Sequence, residues 1–181
     1  MAATYLLAKS GVLARFDVRP PPLVGLGLAV AVLGPLLAWS AAGTALVEGL
    51  PLGWLIGLQV FRLPLELVMH QAYEVGLMPV QMSFSGSNFD IVTGITAAML
   101  AVTMAFRAVP SWLVWAWNLA GLALLGNIVV ISIVSTPLIQ AFGPYRLNTW
   151  VAQPPYVWLP AVMVLTAWTG HLVIWRALQV R

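Results

Sequence analysis

The stretch from residue 112 to residue 142, WLVWAWNLAGLALLGNIVVISIVSTPLIQAF, contains no Asp, Glu, Lys or Arg. A helix needs about 20 apolar residues to cross the hydrocarbon core of a bilayer, and this run exceeds that length. It therefore predicts a transmembrane helix rather than the core of a soluble domain. The remaining chain agrees, because 61% of the 181 residues are hydrophobic and only 7% are charged, whereas soluble domains average about 25% charged residues.

Four further apolar runs flank this stretch, and prolines, which break helices, lie between or at the edges of the runs. We predict an all-α fold, a single integral-membrane domain built as a bundle of five transmembrane helices. Their approximate ranges are 23–42, 50–78, 89–106, 112–142 and 156–178.

An alternative arrangement has four crossings, with residues 50–78 forming a re-entrant or interfacial segment. The positive-inside rule prefers four crossings, because Lys and Arg then collect on one side. The apolar length of residues 50–78 favours five. With five crossings we expect the N-terminus inside, in a bacterial inner (cytoplasmic) membrane.

The second apolar run holds an unusual ladder of ionisable residues, with Arg62, Glu66, His70 and Glu74 at every fourth position. A step of four residues advances a helix by 400°, so these side chains share one stripe. Charged residues within spans are costly and are functional candidates by default. We predict a buried polar site of Arg62, Glu66 and His70. In this site Arg62 holds Glu66 or an anion, and Glu66 exchanges a proton with His70. The alternative is a structural ion pair that holds the helix to its neighbours.

The loop after this run supplies further polar candidates. Ser87 and Asp90 have the spacing of a capping box that opens the third helix. Asn88 and Asp90 are also candidates for the lining of a pocket beside the ladder. Asn127, in the middle of the fourth run, is the third such candidate.

Several chemistries lack the residues that they need. The chain has no cysteine, which excludes thiolate metal sites and a cysteine nucleophile. Glu66 and His70 supply two possible zinc ligands where three are needed, and Asp90 as a third is disfavoured. We therefore predict no metal, no cofactor and no catalytic residue, and an enzyme is the least favoured class.

The segment FRLPLELVMH (61–70), followed by GSNFDIVTGITA (86–97), resembles a family of small multi-pass bacterial membrane proteins to which no activity is assigned. The resemblance covers about a fifth of the chain. It implies a bacterial membrane protein and no particular reaction.

Two functions remain open. The first is a small carrier or channel that moves protons, ions or a small solute through the polar site. The second is a non-catalytic subunit of a larger membrane complex, in which the ladder would serve docking. The expected partners are the lipid bilayer and possible further membrane subunits or a second copy of the chain. A net charge of only +3 gives no reason to expect nucleic acid.

Overall fold

A computed structural model describes all 181 residues, and it is all-α with no strand, which confirms the all-α part of the prediction. The fourth helix contains a short 3₁₀ turn, Leu58–Phe61, which joins its two α-helical parts without a break. The last helix begins with a π-helical turn. The helices are α1 (Ala2–Lys9), α2 (Pro22–Ala38), α3 (Ala41–Gly49), α4 (Leu52–Glu74), α5 (Ile91–Phe106), α6 (Ser111–Val134) and α7 (Leu159–Val180).

Three of these helices, α4, α6 and α7, are long and apolar enough to cross a membrane. The α2–α3 pair qualifies as a fourth span only when its two parts are taken together, and they are bent by 54° at their junction. Helix α5 is apolar but has only 16 residues. The helices are thus compatible with insertion into a membrane.

The first predicted helix, 23–42, ends at Ala38 as α2 and is followed by the separate helix α3. Two later helices also end earlier than the apolar runs predicted. The predicted fourth helix reaches residue 142, whereas α6 ends at Val134, three residues before Pro137, which has no N–H to continue the helical hydrogen bonds. The predicted second helix reaches residue 78, whereas α4 ends at Glu74. Gly76 follows with a left-handed φ of 74°, a conformation that terminates helices. In both places the residues beyond the helix remain apolar, so composition alone did not mark the end.

Two apolar clusters, one at each end of the bundle, give the relative directions of α4, α6 and α7. Leu55 at the start of α4, Val114 at the start of α6 and Ile174 near the end of α7 share one apolar cluster. At the other ends of the same helices, a second cluster joins Met69 of α4 to Leu125 of α6 and residues of α7. Helices α4 and α6 therefore run in one direction and α7 in the other.

Helix α5 starts beside the middle of α4 rather than beside its end. A Cβ atom at Gly94 would meet the backbone of Leu63, so only glycine permits this approach. Residues 75–90 consequently fold back along α4 from Glu74 to the level of Arg62, about 18 Å at 1.5 Å per residue. The third predicted helix thus differs from the plain spanning helix that its composition indicates. Its first residues lie inside the bundle.

Candidate functional site

The centre of the bundle holds a buried ion pair between α4 and the start of α5. Arg62, which is 1% exposed, donates from Nε to Oδ2 of Asp90 over 2.7 Å. Its Nη2 donates to Oδ1 of the same carboxylate. This two-bond arrangement matches the planar guanidinium to the planar carboxylate and fixes the orientation of both. The ion pair depends on the fold-back of residues 75–90, because this fold-back brings Asp90 to the level of Arg62.

A histidine from α7 completes the surroundings of Arg62. The Nε2 atom of His171 lies 2.9 Å from Nη1 of Arg62, and its Nδ1 lies 2.8 Å from Oδ1 of Asn118 in α6. Because guanidinium only donates, Nε2 must accept, and Nδ1–H then donates to the amide oxygen. The Asn118 amide nitrogen donates to the carbonyl of His171, which fixes that amide's orientation. His171 is therefore neutral in this network.

Glu66 lies one turn beyond Arg62 and is 2% exposed. Its Oε2 accepts a 2.7 Å hydrogen bond from Nδ2 of Asn88, an amide that also donates to the carbonyl of Met82. Oε1 of Glu66 has no hydrogen-bond partner within the protein. Glu66 is thus a buried acid that is held on one oxygen and is open on the other.

The structure distributes the predicted ladder differently from the expected pairing along one helix. Arg62 pairs with Asp90 and forms no ion pair with Glu66. His70 forms no hydrogen bond or ion pair with Glu66. Its Nδ1 lies 2.9 Å from Oγ of Ser83, and its Nε2 lies 3.6 Å from the exposed Glu74. The expected proton exchange between Glu66 and His70 has no direct hydrogen bond to follow.

The loop residues also depart from the predicted capping box. Asp90 is the residue before α5, but its carboxylate is engaged by Arg62 and makes no cap hydrogen bond. The carbonyl of Ser87 accepts a 2.8 Å hydrogen bond from Asn127 of α6. Asn127 therefore holds the loop and does not reach the ion pair. Asn88 and Asp90, the other two lining candidates, both belong to the buried cluster.

A cavity of about 520 Å³ opens beside this cluster. Arg62, Glu66 and Asp90 form its polar end. Its walls come from α2, α4, α6 and α7 and are mostly apolar, with the indole of Trp168 among them. The volume falls within the range of about 300–1,000 Å³ that is typical of small-molecule sites.

His171 and Asn118 were not among the predicted site residues. A signal for His171 was present, because Arg62 and His171 both fall near the midpoints of antiparallel helices and therefore at one depth. Asn118 carried no such signal, since its position in α6 sets its depth but not which helix its side chain faces.

No three His, Asp or Glu side chains are placed so that they could hold a metal ion together. Asp90 and His70, the suggested partners of Glu66 in such a site, engage Arg62 and Ser83 instead.

No protein-family model, curated protein or solved structure matches this chain. The function has to be inferred from the geometry of the chain itself.

Proposed function

We propose that the protein is a small membrane carrier in which Glu66 takes up a proton or a cation inside the bundle. The observation that carries this proposal is the state of the Glu66 carboxylate, which is buried, lines a cavity, is held by Asn88 on one oxygen and has no hydrogen-bond partner on the other. Arg62 and Asp90 neutralise each other, and His171 carries no charge. Glu66 is therefore the one buried acidic group without an ion-pair partner.

A purely structural role accounts for the other buried polar groups better than for Glu66. Burying a carboxylate is costly unless it is paired or changes its protonation. A structural device would satisfy both oxygens, as the Arg62–Asp90 pair does. A binding site instead needs an atom that exchanges partners, and Oε1 of Glu66 is such an atom.

The test is transport by the purified protein in liposomes. We expect wild-type protein to support proton uptake, reported by a trapped pH-sensitive dye, or charge movement when organic cations are added. Glu66→Gln keeps the shape of the side chain but takes up no proton and carries no charge. It should abolish the proton uptake and reduce the charge movement by about tenfold or more, the cost of losing a charged hydrogen bond to the cation. Glu48→Gln is the matched control because Glu48 is exposed and makes no hydrogen bond. Equal transport by Glu66→Gln and wild type would refute the proposal.

We further propose that five segments cross a bacterial inner membrane, with the N-terminus in the cytoplasm. The shared direction of α4 and α6, opposite to that of α7, supports this arrangement. Helix α2 also supports it, because it runs parallel to α7 with Ala31 against Trp168 and Ala38 against Arg176. Helix α5, together with the folded-back residues 75–90, supplies the remaining crossing.

The absence of cysteine makes this topology directly testable. Single cysteines at Ser10 and at Tyr145, which is 98% exposed, should react with an impermeant maleimide only from the cytoplasmic side. Cysteines at Glu48 and Arg107 should react only from the opposite side. Labelling of Ser10 and Arg107 from one side would refute five crossings.

A further inference from the structure

We propose that the cavity beside Glu66 binds a lipophilic organic cation, with the cationic group at Glu66 and the apolar body between α2, α6 and α7. This inference deepens the proposed function by naming a class of substrate for the same site. It rests on the shape of the cavity, on its lining and on the charge balance at its polar end.

The cavity is open to the surface that a bilayer would cover. Helices α2 and α6 both pack closely on α7, but they do not form a close pair with each other. Val24 and Leu28 of α2 and Ile133 of α6 line the cavity and are 42%, 63% and 52% exposed. A ligand that dissolves in the acyl-chain region therefore reaches the cavity sideways, between α2 and α6.

The lining selects an apolar body. Of 31 lining residues, 23 are hydrophobic, so a hydrophilic solute would lose its hydration without gaining hydrogen bonds along most of the cavity. Phe16, Phe61, Trp150 and Trp168 also line it. Aromatic rings attract organic cations through their π faces, an interaction that strengthens when water is excluded.

The polar end selects positive charge. Arg62 is already engaged, because three of its five N–H groups bond to Asp90 and His171 and Asp90 balances its charge. With Arg62 and Asp90 cancelling, the ionised carboxylate of Glu66 leaves one negative charge at the end of an apolar cavity. A cation there gains an interaction that little solvent screens. An anion of the same size is repelled.

The decisive experiment compares two ions of the same shape and opposite charge. Equilibrium dialysis of the purified, detergent-solubilised full chain should show stoichiometric binding of tetraphenylphosphonium and no binding of tetraphenylborate. Glu66→Gln should weaken tetraphenylphosphonium binding by roughly tenfold to a hundredfold, and Glu48→Gln should not change it.

A second pair of variants tests the cavity without altering the charged cluster. A Cβ would meet nothing within 4 Å at either Gly25 or Gly27 of α2, but only Gly27 lines the cavity. Gly27→Leu should therefore fill part of the cavity and weaken tetraphenylphosphonium binding, whereas Gly25→Leu should leave it unchanged. Equal binding of both ions, or undiminished binding by both Glu66→Gln and Gly27→Leu, would overturn the inference.

Two sources could supply such a cation, a lipid with an ammonium head or a smaller amphiphile. The lipid is the source if mass spectrometry finds an amine-headed lipid that co-purifies with the wild-type protein and does not co-purify with Glu66→Gln. The smaller amphiphile is the source if the protein binds tetraphenylphosphonium and no such lipid co-purifies.

The binding and transport experiments can fail separately. Binding without any flux would preserve this inference and remove the carrier. Proton flux that depends on Glu66 without tetraphenylphosphonium binding would preserve the carrier and remove this inference.

Discussion

The Asp90→Asn substitution offers the sharpest test of the buried cluster. Asparagine keeps the shape of the side chain and removes its charge, so Arg62 remains buried at 1% exposure without its ion-pair partner. The amide offers one acceptor oxygen in place of two, so only one of the two hydrogen bonds from Nε and Nη2 keeps its acceptor. Removing one partner of a buried pair costs about 3–5 kcal/mol. The ratio of folded to unfolded protein should therefore fall by about 10²- to 10⁴-fold.

The assay is thermal unfolding in detergent, followed by the fluorescence of the nine tryptophans. At about 2–4 °C per kcal/mol for a chain of this size, the midpoint should fall by about 6–20 °C. Glu48→Gln serves as the control, because it removes an exposed carboxylate that makes no hydrogen bond. Its midpoint should stay within about 2 °C of wild type, since exposed surface substitutions rarely exceed ±0.5 kcal/mol.

The double variant Arg62→Gln/Asp90→Asn separates pairing from packing. It removes both charges, so no charge is left buried alone, and replacing both members of a buried pair is often close to neutral. We expect it to be more stable than Asp90→Asn alone. The reasoning is refuted if the double variant is no more stable than Asp90→Asn. It is also refuted if Asp90→Asn unfolds at the same temperature as the wild type, because the ion pair then does not hold α4 to α5.

Two further substitutions test other contacts in the bundle by the same unfolding assay. Gly34→Ala should destabilise the protein by about 1–3 kcal/mol, because the added Cβ would overlap the Trp168 ring that joins α2 to α7. Gly25→Ala, in the same helix but in open space, should leave the stability unchanged or raise it by up to about 1 kcal/mol. An equal change in stability at both sites would contradict this packing. Asn118→Leu should cost about 1–3 kcal/mol, because Nδ1–H of His171 loses its acceptor. Wild-type stability in that variant would show that the assigned histidine hydrogen bond is not made.

The sequence was sufficient for the helical class because transmembrane composition is a strong constraint. An apolar run without charges leaves the backbone no partner except itself, and a helix satisfies every interior N–H and C=O. Three helices meet the length and hydropathy that this argument requires. The ends were harder to predict, because Pro137 and Gly76 change the backbone while their neighbours remain apolar.

The candidate site was predictable only as a face of one helix. Helical periodicity places Arg62, Glu66 and His70 on one stripe of α4, and the first two are indeed buried. It carries no information on which neighbouring helix meets each residue. The partner of Arg62 comes from the fold-back of residues 75–90, and its second contact comes from His171, 109 positions away. Both depend on tertiary packing, which no local pattern in the sequence encodes.

The polar residues of the bundle divide according to what they bond, and this division bears on function. Irregular backbone at membrane depth must find hydrogen-bond partners within the protein. Gln81 donates to the carbonyl of Arg146, Asn127 to that of Ser87, and Asn88 to that of Met82. These amides satisfy the two long loops and explain why polar side chains are buried there at all.

Glu66 does not fit this explanation. As a carboxylate it cannot donate to a carbonyl, and it accepts from the side chain of Asn88, an amide that already donates to the carbonyl of Met82. Replacing Glu66 by glutamine would preserve an acceptor for Asn88 while removing a charge that no ion pair neutralises. A fold that required only stability would favour that replacement. If Glu66 takes up a proton or a cation, as we propose, its carboxylate serves binding at a cost in stability, and we expect Glu66→Gln to unfold at or above the wild-type midpoint while transport is lost.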